Sequence, residues 1–238
     1  MTEKIRADGI RYERRGAEIL SGVDASAASG EVTAVVGPSG AGKSTLLRVI
    51  NRLIEPTRGE VYLDGEPTSG MDMLLLRRRV GMVLQLPALF GETVEEAVLY
   101  GARLAGTGES ARSALDLLRS VGLEDGLLRR DPQSLSVGQQ QRVSVARSLA
   151  LSPQALLMDE PTSSLDEGAR RSMEAMIRGL VDRSGLTVML VSHDLDQVRR
   201  VADSVVLLAG GRSLGRWSAH DFFSSAGDEA RGLVSGGA

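Results

Sequence analysis

Nine consecutive residues, Gly37-Pro38-Ser39-Gly40-Ala41-Gly42-Lys43-Ser44-Thr45, have the types and spacing to grip a phosphate. They fit G-x-x-x-x-G-K-[ST] and lie between an apolar run at 31–36 and a helical pattern from about Lys43 to Leu53, the context in which that spacing has chemical meaning. Glycines let backbone N–H groups turn inward on an anion, the following helix aims its positive dipole end at it, and Lys43 reaches the outer phosphates. Ser44 can set its hydroxyl on Mg²⁺. Only two of the 28 basic residues, Lys4 and Lys43, are lysines. Where arginine fills almost every basic position, a lysine here marks a site that wants a compact ammonium rather than a planar fork.

Two further groups could serve the same ligand. Ala155-Leu156-Leu157-Met158-Asp159-Glu160 reads as a buried strand ending in two carboxylates. Successive strand residues point to opposite faces, so the two cannot share one job. Asp159 is expected to hold the metal and Glu160 to polarise a water. In Leu135-Ser136-Val137-Gly138-Gln139, Ser136 and Gln139 form a capping box that opens a helix, and a helix N-terminus attracts anions. Capping accounts for the serine but not for Gly138 in the first turn, where glycine weakens a helix.

These residues need a scaffold, and the hydrophobic pattern supplies one. Strands are expected at 5–10, 18–25, 31–36, 60–63 and 80–84, with a turn at Asp64-Gly65 and a short Leu- and Arg-rich helix before 80. A mostly helical stretch follows: 93–102, opened by a Thr93/Glu96 capping box, then 110–121 and 136–151. From Ala155 strand and helix alternate, with strands at 155–158, 186–191 and 204–209 and helices at 167–184 and 194–202. Such alternation predicts an α/β fold with a largely parallel sheet. Met173, Met176, Ile177, Leu180 and Val181 recur at helical spacing as a core face, and the tail from Arg216 to Ala238 reads as one short helix and a frayed end.

Composition narrows the function classes. With 238 residues and 42% hydrophobic content the chain can bury a full core, and with no cysteine it has no disulfide, thiolate zinc site or cysteine nucleophile. A net charge of −3 gives no global cationic field for nucleic acid, and Arg77-Arg78-Arg79 reads as a solvated helix face. Met1 to Ile10 lacks the apolar core of a secretory signal, and no apolar run nears the roughly 18 residues of a spanning helix. A cytoplasmic protein is the expectation, with any membrane span supplied by another chain.

At Leu135 to Gln139 the sequence resembles the ATP-binding cassette (ABC) family, whose nucleotide-binding domains carry an LSGGQ-like signature. The likeness runs from about Tyr12 to Arg212. Gln85 in Gly81-Met82-Val83-Leu84-Gln85 matches the family's Q-loop, Ser163-Ser164-Leu165-Asp166 its D-loop, and His193 in Val191-Ser192-His193-Asp194 its switch histidine. Val137 replaces the signature's first glycine, and Ser164 stands where alanine is frequent.

The resemblance implies a P-loop NTPase fold: a mostly parallel sheet core, an N-terminal antiparallel β portion, and an inserted α-helical subdomain at 86–152 within a single nucleotide-binding domain, 1–238. It implies ATP and Mg²⁺ as cofactors, Ser44, Gln85 and Asp159 around the metal, and Glu160, Gln85 and His193 as the hydrolytic residues. Tyr12 would stack on adenine, the other reading being a half-buried strand tyrosine. Two copies would meet head to tail, so that Ser136 and Gly138 face the γ-phosphate held by the partner's Gly37–Thr45 loop; Asp166 is the D-loop aspartate of the match. The full residue set makes a homodimer self-sufficient. Integral-membrane permease subunits are the implied partners, reached through the region after Gln85, with room for a substrate-binding protein and none for nucleic acid. The address would be peripheral, on the cytoplasmic face of the cell membrane. Residues 51–65 and 86–99 are similar to cassettes of the phosphate-import type and small metal-export type. A soluble ABC ATPase serving DNA repair, translation or cofactor assembly is the alternative; one cassette, no inserted coiled coil and no basic field favour the transporter.

Overall fold

Alternating polar and apolar residues make the first two strands long. β1 (Glu3–Arg14) and β2 (Ala17–Ala28) pair antiparallel through a two-residue turn, Arg15 at φ 52° and Gly16 at φ 77°, the left-handed pair such a hairpin requires. No Asn-Gly or Asp-Gly announces that turn, so the sequence suggests two shorter, separate strands. The computed structural model describes residues 2–106 and 112–224 and, singly, 228, 232 and 234.

β3 (Val32–Val36) is buried at every position and feeds α1 (Lys43–Ile50). β4 (Arg58–Leu63) turns at Asp64-Gly65 into the short β5 (Glu66–Pro67). β2-β1-β4-β5 form one antiparallel sheet. α2 (Met73–Arg79), capped by the Asp72 side chain, leads into β6 (Val80–Val83). Next come α3 (Val94–Leu104), α4 (Ala114–Ser120) and α5 (Val137–Leu149), each opened by a hydroxyl cap: Thr93, Ser113 and Ser136. α4 begins at Ala114 because Ser113 caps it; positions 110 and 111 of the expected 110–121 helix lie outside the described residues.

The chain then alternates through β7 (Ala155–Asp159), α6 (Glu167–Ser184), β8 (Thr187–Val191), α7 (Leu195–Val201) and β9 (Ser204–Ala209). β10 (Arg212–Ser218) turns back on β9 through Gly210-Gly211, and α8 (Ala219–Phe222) follows. Arg216 to Ser218 are therefore strand, not the start of a tail helix. Along β10 exposed and half-buried residues alternate, an edge-strand pattern too polar to stand out in the sequence. The second sheet has the order β10-β9-β3-β8-β7-β6, parallel except for β10.

β3, β7 and β8 are wholly buried, as parallel strands covered on both faces must be. α6 packs Met173, Met176, Ile177, Leu180 and Val181 into the same core. Ser21 N donates to Gly211 O at 2.7 Å, tying the two sheets together. Among the described residues no helix is long and apolar enough to cross a membrane. The carboxyl ends of β3, β7 and β8 open on one side, where α/β sheets bind their ligands.

Candidate active site

Gly37 leaves β3 at φ 148°, and a Cβ there would lie 1.9 Å from Leu208 O of β9, so only glycine can start the loop. Gly42, at φ 96°, precedes α1 with no side-chain cap on the helix, and an added Cβ would meet Leu20 Cδ2 at 2.6 Å. Gly40 (φ 77°) and Ser39 are exposed, Pro38 is half-buried, and Ala41 N donates to Pro38 O at 3.2 Å. The first N–H groups of α1 thus meet no side-chain acceptor and lie behind the loop, which suits an anion.

Lys43 is 7% exposed, and its Nζ donates to Gly37 O (2.7 Å) and Pro38 O (2.8 Å) of its own loop. Burial lowers its proton affinity, while Glu160 and Asp159 pull the other way. Ser44 Oγ donates to Asp159 Oδ1 at 2.7 Å. A hydroxyl beside a buried carboxylate at the end of a phosphate loop is a donor set for Mg²⁺, a hard cation that takes few protein oxygens and completes its shell with phosphate and water. Among the described residues no three His, Asp or Glu side chains converge to make an all-protein metal cage. The residues present fit the ion. Thr45, next in α1, is half-buried.

β7 ends at Asp159, which is 4% exposed, and Glu160 sits in a turn at φ 46°. What separates the two carboxylates is therefore this left-handed residue rather than strand alternation alone. Strained backbone of this kind persists where the surroundings hold it, and here Glu160 N donates to Val191 O (3.2 Å) while Ser163 Oγ donates to Glu160 O (3.1 Å). Gln85 Nε2 lies 3.5 Å from Glu160 Oε2 and 3.2 Å from Ser163 Oγ. His193 Nδ1 lies 3.3 Å from the same Glu160 oxygen. Glu160, Thr162, Ser163, Arg170, His193 and Asp194 line a cleft of about 250 Å³.

The signature segment is elsewhere. Leu135 is buried, and Ser136 and Gln139 complete the capping box reciprocally at 3.3 and 3.0 Å. Ser136, Gly138 and Gln139 line their own cleft of about 270 Å³ with Glu124, Arg142 and Ala169. Val137 is 48% exposed. Gly138 has no left-handed φ, and an added Cβ would only touch Ala169 Cβ at 3.4 Å and Leu165 Cδ2 at 3.6 Å. Neither backbone nor packing demands glycine there. Asp166 caps α6 by accepting from Ala169 N at 2.8 Å. Tyr12 is half-buried and pairs in register with Leu20, the residue that covers Gly42.

Three contributors are not legible in the sequence. Ser163 steadies Gln85, Gln197 bridges the turns on either side of the cleft, and Arg170 pairs with Asp194 at 2.9 Å beside His193. Ser163 and Gln85, Gln197 and Thr162, and Arg170 and Asp194 lie 78, 35 and 24 positions apart and are brought together by the fold. A separate apolar groove of about 400 Å³ lies beyond Gln85, with Leu53, Leu84, Phe90, Tyr100 and Leu104 on its walls.

A family model described as ABC transporter matches residues 20–163. Protein STAR1 of rice (Oryza sativa subsp. japonica) is 49% identical over 210 residues, 87% of this chain, which spans 61% of that relative's length. ABC transporter I family member 17 of Arabidopsis thaliana is 44% identical over 209 residues, covering 87% of this chain and 80% of the relative. Among solved structures, the ATP-binding cassette MJ0796, a dimer in a post-hydrolysis state bound to ADP and Pi, is similar with a TM-score of 0.79 and 32% identity, covering 90% of this chain and 98% of that one.

Proposed function

The chain belongs to the ABC transporter family, and we propose that it is the ATP-hydrolysing subunit of a membrane transporter. The observation that carries this is the meeting of Gln85, Glu160 and His193 at the carboxyl end of the sheet that also presents Lys43, Ser44 and Asp159. In this reading residues 1–238 are one nucleotide-binding domain and 86–152 its helical subdomain.

The loop from Gly37 to Thr45 wraps the phosphates with backbone N–H groups, and Lys43 exchanges two neutral carbonyls for charged phosphate oxygens, which offsets the burial of its ammonium. Ser44, Asp159 and Gln85 are the residues that would hold Mg²⁺. When bound, the ion neutralises charge on the phosphate oxygens. Glu160 accepts a proton from water as the water oxygen bonds to the γ-phosphorus and the bridging bond to the β-phosphate breaks. His193 steadies the γ-phosphate, and Tyr12 stacks on adenine. Ser136 and the Gly138 N–H address the γ-phosphate bound by a second copy, so turnover is a cycle of dimer closure and reopening. The separation of the signature cleft from the Glu160 cleft within one chain supports this division.

The apolar groove beyond Gln85 suits an integral-membrane permease, and this supports a peripheral address on the cytoplasmic face of the membrane, with selection of the solute left to that permease. Glu160→Gln keeps MgATP binding and the closed dimer, seen by size exclusion, while phosphate release falls roughly 10²- to 10⁴-fold, the usual contribution of a general base. Wild-type turnover in this variant would overturn the assignment of the base.

A further inference from the structure

Glu160 and His193 approach each other from two separate turns, residues 160–163 after β7 and residues 192–194 after β8. His193 is 62% exposed, with Nδ1 3.3 Å from Glu160 Oε2, and the same Glu160 oxygen lies 3.5 Å from Gln85 Nε2. The turns themselves are joined underneath by a buried side chain from α7. Gln197 Nε2 donates to Thr162 Oγ1 at 2.7 Å, and Gln197 Oε1 accepts from Ser192 Oγ at 2.7 Å. Ser192 Oγ in turn accepts from Asp194 N at 3.0 Å. Gln197, Ser192 and Thr162 are 1%, 3% and 5% exposed, so water does not compete for these bonds. The amide uses its donor on one turn and its acceptor on the other, and so holds a set spacing between them.

We propose that Gln197 is a positioning residue for hydrolysis: by bracing Thr162 to Ser192 it sets the distance between the turn that carries Glu160 and the turn that carries His193. The assignment rests on the ATPase reading above. Arg170 supports the second turn from outside through Asp194, a half-buried pair on the His193 side. Gln197 hydrogen-bonds to both turns from one buried amide. The brace acts on the orientation of the water-activating carboxylate and the γ-phosphate contact, and it lies away from the loop that holds the nucleotide. Its loss is therefore a loss of rate more than of affinity.

The test is steady-state phosphate release by the purified full chain, with MgATP binding measured in parallel. Gln197→Leu lowers kcat by roughly 10- to 100-fold, the scale of a small misplacement of reacting groups, and leaves KM within about twofold. Gln197→Glu recovers most of the rate, because carboxyl oxygens can bond both hydroxyls. Thr162→Val reproduces the kcat loss, and the double variant is no slower than Gln197→Leu alone. A folded Gln197→Leu protein with wild-type kcat overturns the proposal, as does an equal loss of kcat and nucleotide binding. Should that variant fail to fold, an unchanged kcat in Thr162→Val overturns it. A wild-type chain that releases no phosphate sinks the ATPase reading and this assignment together; equal rates for wild type and Gln197→Leu sink this assignment alone.

Discussion

The two motifs that point to a nucleotide, 37–45 and 135–139, are built in opposite ways. Around Ser136 the defining bonds are reciprocal and span 3 residues, so they form as soon as α5 forms. Around Ser44 and Glu160 the partners arrive from far away: Ser44 and Asp159 are 115 positions apart, Gln85 and Glu160 are 75. One is a local capping structure, for which we propose a ligand held by a second copy of the chain. The other exists only when β3, β7 and β8 lie side by side, and it holds every group proposed for hydrolysis. Binding and chemistry should therefore fail separately when the two regions are altered.

Lys43→Met gives the largest effect. At ATP a hundred times its dissociation constant, binding stabilises the fold by about 2.7 kcal/mol, and this variant loses that rise in Tm entirely. Without nucleotide, the variant is no less stable at neutral pH, because burial lowers the pKa of Lys43 and its charged form is a penalty in the fold. That penalty is complete below the lowered pKa and lifts as pH rises towards the ordinary lysine range, where the unfolded chain still binds the extra proton. Wild type should gain on Lys43→Met across that alkaline window, as read by denaturant melts.

Ser136→Ala acts on the other region. Losing this cap costs about 1 kcal/mol of stability, and ATP binding to the monomer, measured by titration, is unchanged. Turnover and closed-dimer formation fall, because the hydroxyl is the group proposed to serve the partner's nucleotide. Loss of monomer binding would merge the two regions and defeat the comparison.

Gly138→Ala has the smallest effect on the fold and sharpens the contrast most. Alanine is favoured over glycine inside a helix by about 0.8–1.0 kcal/mol, and the added methyl only touches Ala169 and Leu165. Melting should show equal or greater stability while ATPase activity drops. Full activity in a stabilised variant would remove the functional reason for glycine at this position.

The same contrast explains what can be read without coordinates. The Ser136/Gln139 capping box, the phosphate loop and the apolar runs of β3, β7 and β8 are written in neighbouring residues, so their existence and type are legible; the Thr93/Glu96 box is not formed, since Glu96 Oε2 accepts from Glu92 N instead. The β1–β2 turn at Arg15-Gly16 and the polar edge strand β10 are not, since one lacks the usual turn residues and the other lacks an apolar stripe. Within the site, the residue types at Asp159, Glu160 and His193 are visible in the sequence, but the φ of 46° that turns Glu160 out of the strand is not.

The sequence by itself determined which residues could meet a nucleotide, because phosphate loops, caps and buried strands are local patterns governed by backbone geometry and hydrophobic period. Only the tertiary structure decided which of them meet each other. Leu208 O against Gly37, Ser163 beside Gln85 and Gln197 on Thr162 are contacts across strands and loops far apart in the chain. Such contacts arise from the order in which the sheet stacks its strands, and no short-range pattern encodes that order.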